Sequence, residues 1–231
     1  LQDSLIQNNL IYDNRNHGIA QWNDANPYDE AYAEPGPASP EQVKGADDLP
    51  LWGCSRNIIR NNTVLMNNHG RAALQARNGS WGVKLRNNIF INDERSSIEI
   101  FNTSIYRLDA MYNVANTVDY SDDAGDDRVT AMPDSMKALA THLPEGEDAI
   151  TGITRERAAK EFVRYGDEPW VIVEGKWWRL NPNRPDFRPR ADSKMFANRG
   201  DAKDMPEHDL SGGNRSGTSI GAYAPAKDGK K

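Results

Sequence analysis

The chain has 231 residues, a formal net charge of −6 at pH 7 and a sequence pI near 5.3. This acidic balance lacks the basic surface typical of nucleic-acid-binding proteins, so we expect no nucleic-acid partner. No run of 18 apolar residues is present, which predicts no membrane span, and the single cysteine excludes an internal disulfide.

A short pattern built around asparagine pairs recurs along the first half of the chain. Asn8-Asn9, Asn61-Asn62 and Asn87-Asn88 are each followed by a largely apolar triplet, and Met111-Tyr112-Asn113-Val114 is a degenerate fourth copy. The interval is 26 residues from Asn61 to Asn87 and again from Asn87 to Asn113. From Asn8 to Asn61 it is 53 residues, about twice as long. A fixed period of 20 to 50 residues predicts a repeat architecture.

Each period contains three short extended runs. In the clearest copy these are Ile58-Ile59-Arg60, Thr63-Val64-Leu65-Met66 and residues 72–76, separated by Asn-rich and Gly-rich turns. Such runs are too short for helices. Three strands and three turns in about 26 residues predict one coil of a parallel β-helix, with coils about 4.8 Å apart. We expect Asn61, Asn87 and Asn8 to stack inside one turn as a ladder of amides, because a buried amide needs hydrogen-bond partners.

In chain order, residues 1–22 form the first predicted coil and residues 23–53 interrupt the repeat. Five prolines in that segment favour a long loop, with an additional, poorly matched coil as the alternative. The sequence starts in the middle of a coil, so we expect further coils upstream and leave oligomerisation open. We therefore predict a β-helix domain over residues 1–116 with a loop insertion at 23–53.

Residues 117–231 are predicted to form a C-terminal unit that differs from the coils. Residues 117–129 are acidic and are interpreted as a solvated linker, in preference to a calcium site. Residues 133–140 and 154–163 predict helices, and residues 169–180 predict a hairpin that turns at Glu174-Gly175-Lys176. Trp177 and Trp178 in that hairpin are expected to pack internally, with sugar stacking as the alternative.

The coils over residues 1–116 resemble the right-handed parallel β-helix repeats of the pectate-lyase-like superfamily. Residues 186–193 and Ser219-Ile220-Gly221-Ala222-Tyr223 also resemble a C-terminal segment common in secreted bacterial β-helix proteins. The resemblance implies an all-β fold, a right-handed parallel β-helix (solenoid) with a C-terminal mixed α/β cap. It also implies a secreted or cell-surface location and a polysaccharide partner.

In that superfamily the sheet that follows the His69-Gly70 turn, with its flanking loops, usually holds the substrate groove. By the period-two rule, Leu74, Ile98 and Ile100 should point inward. The neighbours expected on the outer face are Ala73, Gln75, Ser97, Glu99 and Phe101, with Gln21 on the same face. The predicted substrate-binding residues are Gln21, Asp24, Gln75, Arg77 and Phe101.

Two reaction classes fit the polar residues around this sheet. A lyase needs a base, for which we propose His69 with His17 expected beside it, and a cation for the uronate carboxylate, for which we propose Arg71 or Arg95. A glycoside hydrolase needs two carboxylates, which Glu99 with Asp24 or Asp29 would supply. Asp93 and Glu94 add to the charge here.

Simpler interpretations remain beside these assignments. The histidines could be ordinary turn residues and the charges could serve solubility alone. No cofactor is predicted, and calcium is left open. The predicted function is an extracellular polysaccharide lyase or glycoside hydrolase; the alternative is a non-catalytic surface, adhesin or fibre component that uses the β-helix as a rigid scaffold.

Overall fold

A computed structural model describes most of the chain. The described residues are 1–14, 16–22, 54–66, 71–92, 94–121, 134–166, 170–179, 184–215 and 217–227. The predicted insertion at 23–53, with Asp24 and Asp29, lies outside them, as do His69 and Asp93.

Twelve short strands stack into three parallel sheets of four strands each. The first sheet has the order β1 (Leu5–Gln7), β4 (Ile58–Arg60), β7 (Lys84–Arg86) and β10 (Asp109–Met111). The second has the order β2 (Leu10–Tyr12), β5 (Thr63–Met66), β8 (Ile89–Asn92) and β11 (Val114–Ala115). The third has the order β3 (Ile19–Trp22), β6 (Leu74–Arg77), β9 (Ile98–Phe101) and β12 (Val118–Ser121). The chain visits the three sheets in turn, so the predicted parallel β-helix is confirmed.

The first two coils are neighbours in space although 53 residues separate them in sequence. Leu5 pairs with Ile58 and Leu10 with Thr63, and the third strands pair in the same way. No coil therefore lies between these strands, which rules out the alternative of an inserted coil at that position. The predicted loop itself lies outside the described residues.

An asparagine ladder runs inside the turn between the first and second sheets, but in a different frame from the predicted one. The second asparagine of each pair forms it: Nδ2 of Asn9, Asn62 and Asn88 donates to Oδ1 of the next coil's asparagine, over 2.9, 3.0 and 2.9 Å. The last step reaches Asn113, which is 25 residues after Asn88, so the predicted alignment of Asn113 with Asn87 is wrong by one residue.

The first asparagine of each pair has a different role, which explains the error. Asn8, Asn61 and Asn87 have φ of 56°, 51° and 57°, the left-handed conformation that asparagine tolerates. Their side chains contact the C-terminal segment, and the contact between Asn87 and Asn61 is a long 3.5 Å. The turn conformation decides which of the two amides points inside, and the Asn-Asn dipeptide alone does not predict that conformation.

Two apolar cores result from this arrangement. One fills the interior of the coils and includes the inward residues Ile59, Leu74, Leu85, Ile98 and Ile100. The other lies outside the second sheet, whose outward residues Leu65, Ile89, Ile91 and Val114 pack against the C-terminal segment through residues including Phe162, Phe187 and Phe196. The second sheet is thus buried on both faces, which explains its continuous apolar strands.

Residues 134–152 continue the path of the coils past the last complete one. The helix α1 (Asp134–Lys137) is shorter than the predicted span, and Met136, Leu139 and Leu143 pack against the interior core. Ala110 donates its N–H to His142 and Ala115 donates to Ile150, as a further coil would require. This segment covers the interior core at that end.

The rest of the C-terminal unit holds a second short helix and two antiparallel strand pairs. Helix α2 (Arg155–Ala159) starts at Thr154, whose hydroxyl accepts the Arg157 N–H at 3.2 Å. The predicted helix extended to residue 163, but residues 162–164 belong to β13 (Phe162–Arg164), which pairs with β16 (Asp186–Pro189). The predicted hairpin is present as β14 (Trp170–Val173) and β15 (Lys176–Arg179), with Glu174-Gly175 alone in the turn.

The C-terminal tail contacts the coils at the turn between the first and second sheets, where the asparagine pairs lie. Nδ2 of Asn61 donates to the Ser219 carbonyl at 3.1 Å, and the N–H of Gly221 donates to the Asn87 carbonyl at 2.8 Å. Arg215 donates to Asn8 Oδ1 at 2.9 Å. The Ser-Ile-Gly-Ala segment noted in the sequence is therefore one of the parts of the tail that contact the β-helix.

Candidate functional site

The outer face of the third sheet carries two rows of side chains that run across the coils. Register pairing gives a first row of Ala20, Gln75, Glu99 and Asp119. Pairing of Trp22 with Arg77 and of Phe101 with Ser121 gives the second row, one rung along. The alternate residues Leu74, Ile98 and Ile100 are buried in the interior core, as predicted. We refer to these two rows together as the outer-face rows.

Hydrogen bonds connect the first row to the second. Nε2 of Gln75 donates to Oε2 of Glu99 at 2.6 Å, and the hydroxyl of Ser121 donates to Oε1 of Glu99 at 3.1 Å. The neighbouring carboxylate of Asp119 accepts a hydrogen bond from the Ser96 hydroxyl at 2.6 Å. Glu99 is thus fixed by two donors, one on each oxygen.

Arg77 lies between two aromatic rings. Its guanidinium carbon is 5.3 Å from the centroid of Trp22 and 4.9 Å from that of Phe101, distances typical of cation–π contacts. Its Nε also donates to Asn78 at 3.2 Å. Trp22 is 48% exposed whereas Phe101 is 7% exposed. The three side chains form a stack across three coils, in which the Trp22 ring is partly exposed, on the row next to that of Glu99.

His17 precedes β3 and belongs to the same charged environment. Burial lowers the pKa of its imidazole, the positive charge of Arg71 lowers it further, and Arg77 adds to this effect against the opposing charge of Glu99. The ring is therefore neutral near pH 7. Its Nε2 is buried and has no hydrogen-bond partner among the residues that the structure describes.

Gln75 presents a second buried atom of this kind. The side chain is only 4% exposed, and its Oε1 has no hydrogen-bond partner within the described part of the chain. Because the amide nitrogen already donates to Glu99, the oxygen is free to accept. A buried acceptor left unpaired is uncommon in proteins, so the atom is a candidate ligand contact.

The structure corrects the predicted position of Gln21. This side chain is 1% exposed, and its Oε1 accepts a hydrogen bond from Asn57 at 2.7 Å inside the coils. Gln21 pairs with Ala76 and not with Gln75, so it points inward. A shift of one residue in register moves a side chain to the opposite face. Gln21 is therefore not placed to bind a ligand on the outer face.

Several other residues predicted for the site lie off the outer face of the third sheet. Ala73 belongs to the interior core, and the Ser97 hydroxyl donates to Asn116 at 3.0 Å in a turn. The prediction that these two residues lie on the outer face is therefore wrong. Arg71 is exposed at the edge of the sheet, and Arg95 and Glu94 are exposed in the turn before β9. The expected proximity of His17 to His69 stays a prediction, because His69 lies outside the described residues.

Sequence reasoning missed Trp22, Asp119 and Ser121. Residues 118–121 form β12, not the start of a linker, and this places Asp119 beside Glu99. The acidic run that follows masked the short apolar alternation of Val118 and Tyr120. Trp22 was missed because the error at Gln21 put its neighbour on the wrong face.

Within the described ranges, no group of three or more His, Cys, Asp or Glu side chains is arranged to hold a metal ion. No helix in that part of the chain is long and apolar enough to cross a membrane.

Comparison with known proteins gives no assignment. No protein-family model matches the chain, and no curated protein or solved structure matches it.

Proposed function

We propose that this protein binds and cleaves a polysaccharide at the outer-face rows of the third sheet, as a secreted or cell-surface β-helix protein of the pectate-lyase-like type. The observation that carries the proposal is the position of Arg77 between Trp22 and Phe101, beside the hydrogen-bonded pair Gln75 and Glu99. A sugar ring has one apolar face and a rim of hydroxyl groups. A flat aromatic surface next to fixed polar groups complements both.

The row geometry supports binding of an extended chain. Successive coils place equivalent positions about 4.8 Å apart. Gln75, Glu99 and Asp119 therefore repeat along the axis of the coils, as subsites for consecutive parts of a polymer would. A partner that runs across several strands uses the regular spacing of the sheet.

The site contains groups for either of two reactions. In hydrolysis, Glu99 and Asp119 would be the pair of carboxylates, because they are register partners on adjacent strands and share one face. In elimination, neutral His17 would take the proton, and Arg71 or Arg77 would stabilise the substrate carboxylate. The sequence analysis gave the role of second carboxylate to Asp24 or Asp29. Asp119 takes that role here because β12 brings it beside Glu99.

A panel of acidic and neutral polysaccharides tests the proposal. New ultraviolet absorbance from an unsaturated uronide would mark a lyase, and new reducing ends alone would mark a hydrolase. Arg77→Ala should weaken binding by about tenfold or more, since it removes the cation that holds the Trp22 and Phe101 rings in place. Glu99→Gln should reduce cleavage strongly. Arg190→Ala is the matched control. Arg190 is an exposed arginine of the C-terminal unit that pairs with Asp192, and it does not belong to the third sheet.

The outcomes separate catalysis from a structural role. Cleavage that depends on Glu99 and Arg77, but not on Arg190, supports the proposal. If no polysaccharide is bound or cleaved, and the protein instead associates with cell surfaces or filaments, the proposal is wrong and the scaffold alternative gains. Binding that is unchanged in Arg77→Ala would exclude this face as the site.

A further inference from the structure

We infer that the subsite formed by Gln75 and Glu99 takes a neutral, hydroxyl-bearing sugar ring and not a uronate, an inference that rests on the function proposed above. It selects hydrolysis over elimination, because elimination requires a carboxylate on the reacting sugar. Two features favour a neutral ring: the orientation of the Gln75 amide and the charges of the four strands.

The orientation of the Gln75 amide follows from its neighbour. An ionised carboxylate only accepts hydrogen bonds, so the group of Gln75 that lies 2.6 Å from Glu99 must be the NH₂. The amide oxygen therefore faces away from Glu99. This oxygen is the buried atom without a partner among the described residues, in a side chain only 4% exposed.

Because this acceptor is buried, a ligand on the outer face reaches it only if the side chains around Gln75 move slightly, and a donor on the ligand would then supply the missing hydrogen bond. Hydroxyl groups of a sugar donate, whereas the carboxylate of a uronate does not. A uronate placed against Oε1 of Gln75 would set two acceptors against each other. A hydroxyl at the same place would satisfy the oxygen and gain a buried hydrogen bond.

The charges of the sheet favour the same ligand. The four strands of the third sheet carry three charged residues, Arg77, Glu99 and Asp119, and all three are on the outer face. The carboxylates are register partners, and Arg77 lies on the second row between two rings. A uronate carboxylate brought to the first row would be the third there and would meet two like charges. The partly exposed Trp22 ring, which Arg77 supports from one side, is the face on which a sugar ring held there would stack.

A matched pair of ligands tests this inference directly. The probes are uronic acid oligosaccharides and the same oligosaccharides with their carboxylates reduced to primary alcohols, which keeps length and linkage constant. Isothermal titration calorimetry with the full chain should show the reduced, neutral member of a pair binding at least about tenfold more tightly. The titrations are repeated with EDTA, so that binding of a uronate through added calcium is recognised.

Two variants separate the amide oxygen from its surroundings. Gln75→Met keeps the size of the side chain and removes the acceptor, so binding of the neutral oligosaccharide should weaken about tenfold. Ser121→Ala removes the other hydrogen bond to Glu99 and leaves Oε1 of Gln75 in place, so it should weaken binding less than about threefold. Circular dichroism establishes that both variants are folded.

Each outcome has a distinct meaning. Tighter binding of the uronate, with or without calcium, overturns the inference; if that binding depends on Arg77, the proposed function stands. Equal neutral binding by wild type and Gln75→Met also overturns it. Failure of both ligands to bind overturns the inference together with the proposed function.

Discussion

At the scale of single residues, the internal asparagine ladder is the most specific feature of the coils. Asn88 is fully buried; its Oδ1 accepts from both the backbone and the side chain of Asn62, and its Nδ2 donates to Ile59 and Asn113. Each coil is thus joined to the next through one amide. Losing such a group leaves several buried donors and acceptors without partners.

We therefore expect Asn88→Ala to lower the free energy of unfolding by roughly 2–4 kcal/mol, as measured by urea denaturation followed by circular dichroism. Asn9→Ala is the control, because the Asn9 side chain is exposed and donates to Gln7 and Asn62. Its effect should be less than about 1 kcal/mol. Equal losses in the two variants would show that the interior ladder adds nothing beyond an ordinary turn.

A partly buried carboxylate gives the fold a defined response to acid. Asp109 forms an ion pair with buried Arg86 and a hydrogen bond with Nδ1 of His142 at 2.7 Å, so it joins β10 to the segment after α1. Burial alone would raise the pKa of Asp109, but hydrogen bonds from His142 and Arg86 hold it below its ordinary value of 3.8. Its contribution to stability is therefore complete above that value and is lost as the pH falls through the lower pKa of the folded protein.

Asp109→Asn should destabilise the protein at pH 7 by about 3 kcal/mol. Buried Arg86 would keep its hydrogen bonds to the Leu85 and Asp109 carbonyls, but among the described residues its one remaining carboxylate partner would be Asp204, at a longer 3.5 Å. The variant should also lose less stability than wild type between about pH 4 and the acid transition. Asp192→Asn is the control, since its pair with Arg190 is fully exposed, and its effect should be smaller at every pH. Parallel pH profiles for wild type and Asp109→Asn would contradict this account.

At the scale of elements, the tail depends on one glycine. Gly221 has φ of +93°, and a Cβ there would lie 2.6 Å from Ile89 Cδ1 and 2.7 Å from Thr63 Oγ1. Both neighbours are buried in or beside β5 and β8. The tail approaches the second sheet this closely only because residue 221 has no side chain.

Gly221→Ala should therefore lower the unfolding free energy by about 3 kcal/mol or more, since it adds a steric clash to an unfavourable backbone conformation. Gly212→Ala is a matched control: its φ is +80°, and a Cβ there would meet nothing within 4 Å. It isolates the backbone cost, about 1 kcal/mol. Equal effects on thermal unfolding would show that the tail does not pack tightly on the sheet.

The coils and their strands were predictable from sequence, because apolar runs bounded by Asn and Gly have few other interpretations. The phase of each strand was less predictable. β3 pairs with β6 at an offset of 55 residues, whereas β1 pairs with β4 at 53, so the turn before β6 is two residues longer. A difference of two residues leaves the face of a side chain unchanged, because alternate residues of a strand share a face. The wrong face predicted for Gln21 therefore reflects a one-residue error in the predicted frame of β3. Asp119 was missed for another reason, the acidic run that follows β12.

At the scale of the whole molecule, the C-terminal unit and the coils share a core. Phe196 is fully buried and packs with residues of the second sheet, including Ile89 and Ile91. The ring also lies 4.9 Å from that of Phe162, centroid to centroid. The outer face of the second sheet is apolar only because this unit covers it.

Phe196→Ala should lower the stability of both parts by about 3–5 kcal/mol. Hydrogen exchange should show reduced protection of the amides of β8 as well as that of Ile220, because both flank the shared core. Leu210→Ala is the control, as Leu210 is 41% exposed and should have little effect. Loss of protection in the tail alone, with β8 unchanged, would mean that the two parts are stable independently.

The most direct test of the central claim is a crystal structure of the protein with a bound neutral oligosaccharide. We expect a sugar ring against Trp22 and Arg77, with a hydroxyl group within hydrogen-bond distance of Oε1 of Gln75 and another near Glu99. An oligosaccharide bound instead on the first sheet or on the C-terminal tail, with the third sheet bare, would contradict the claim.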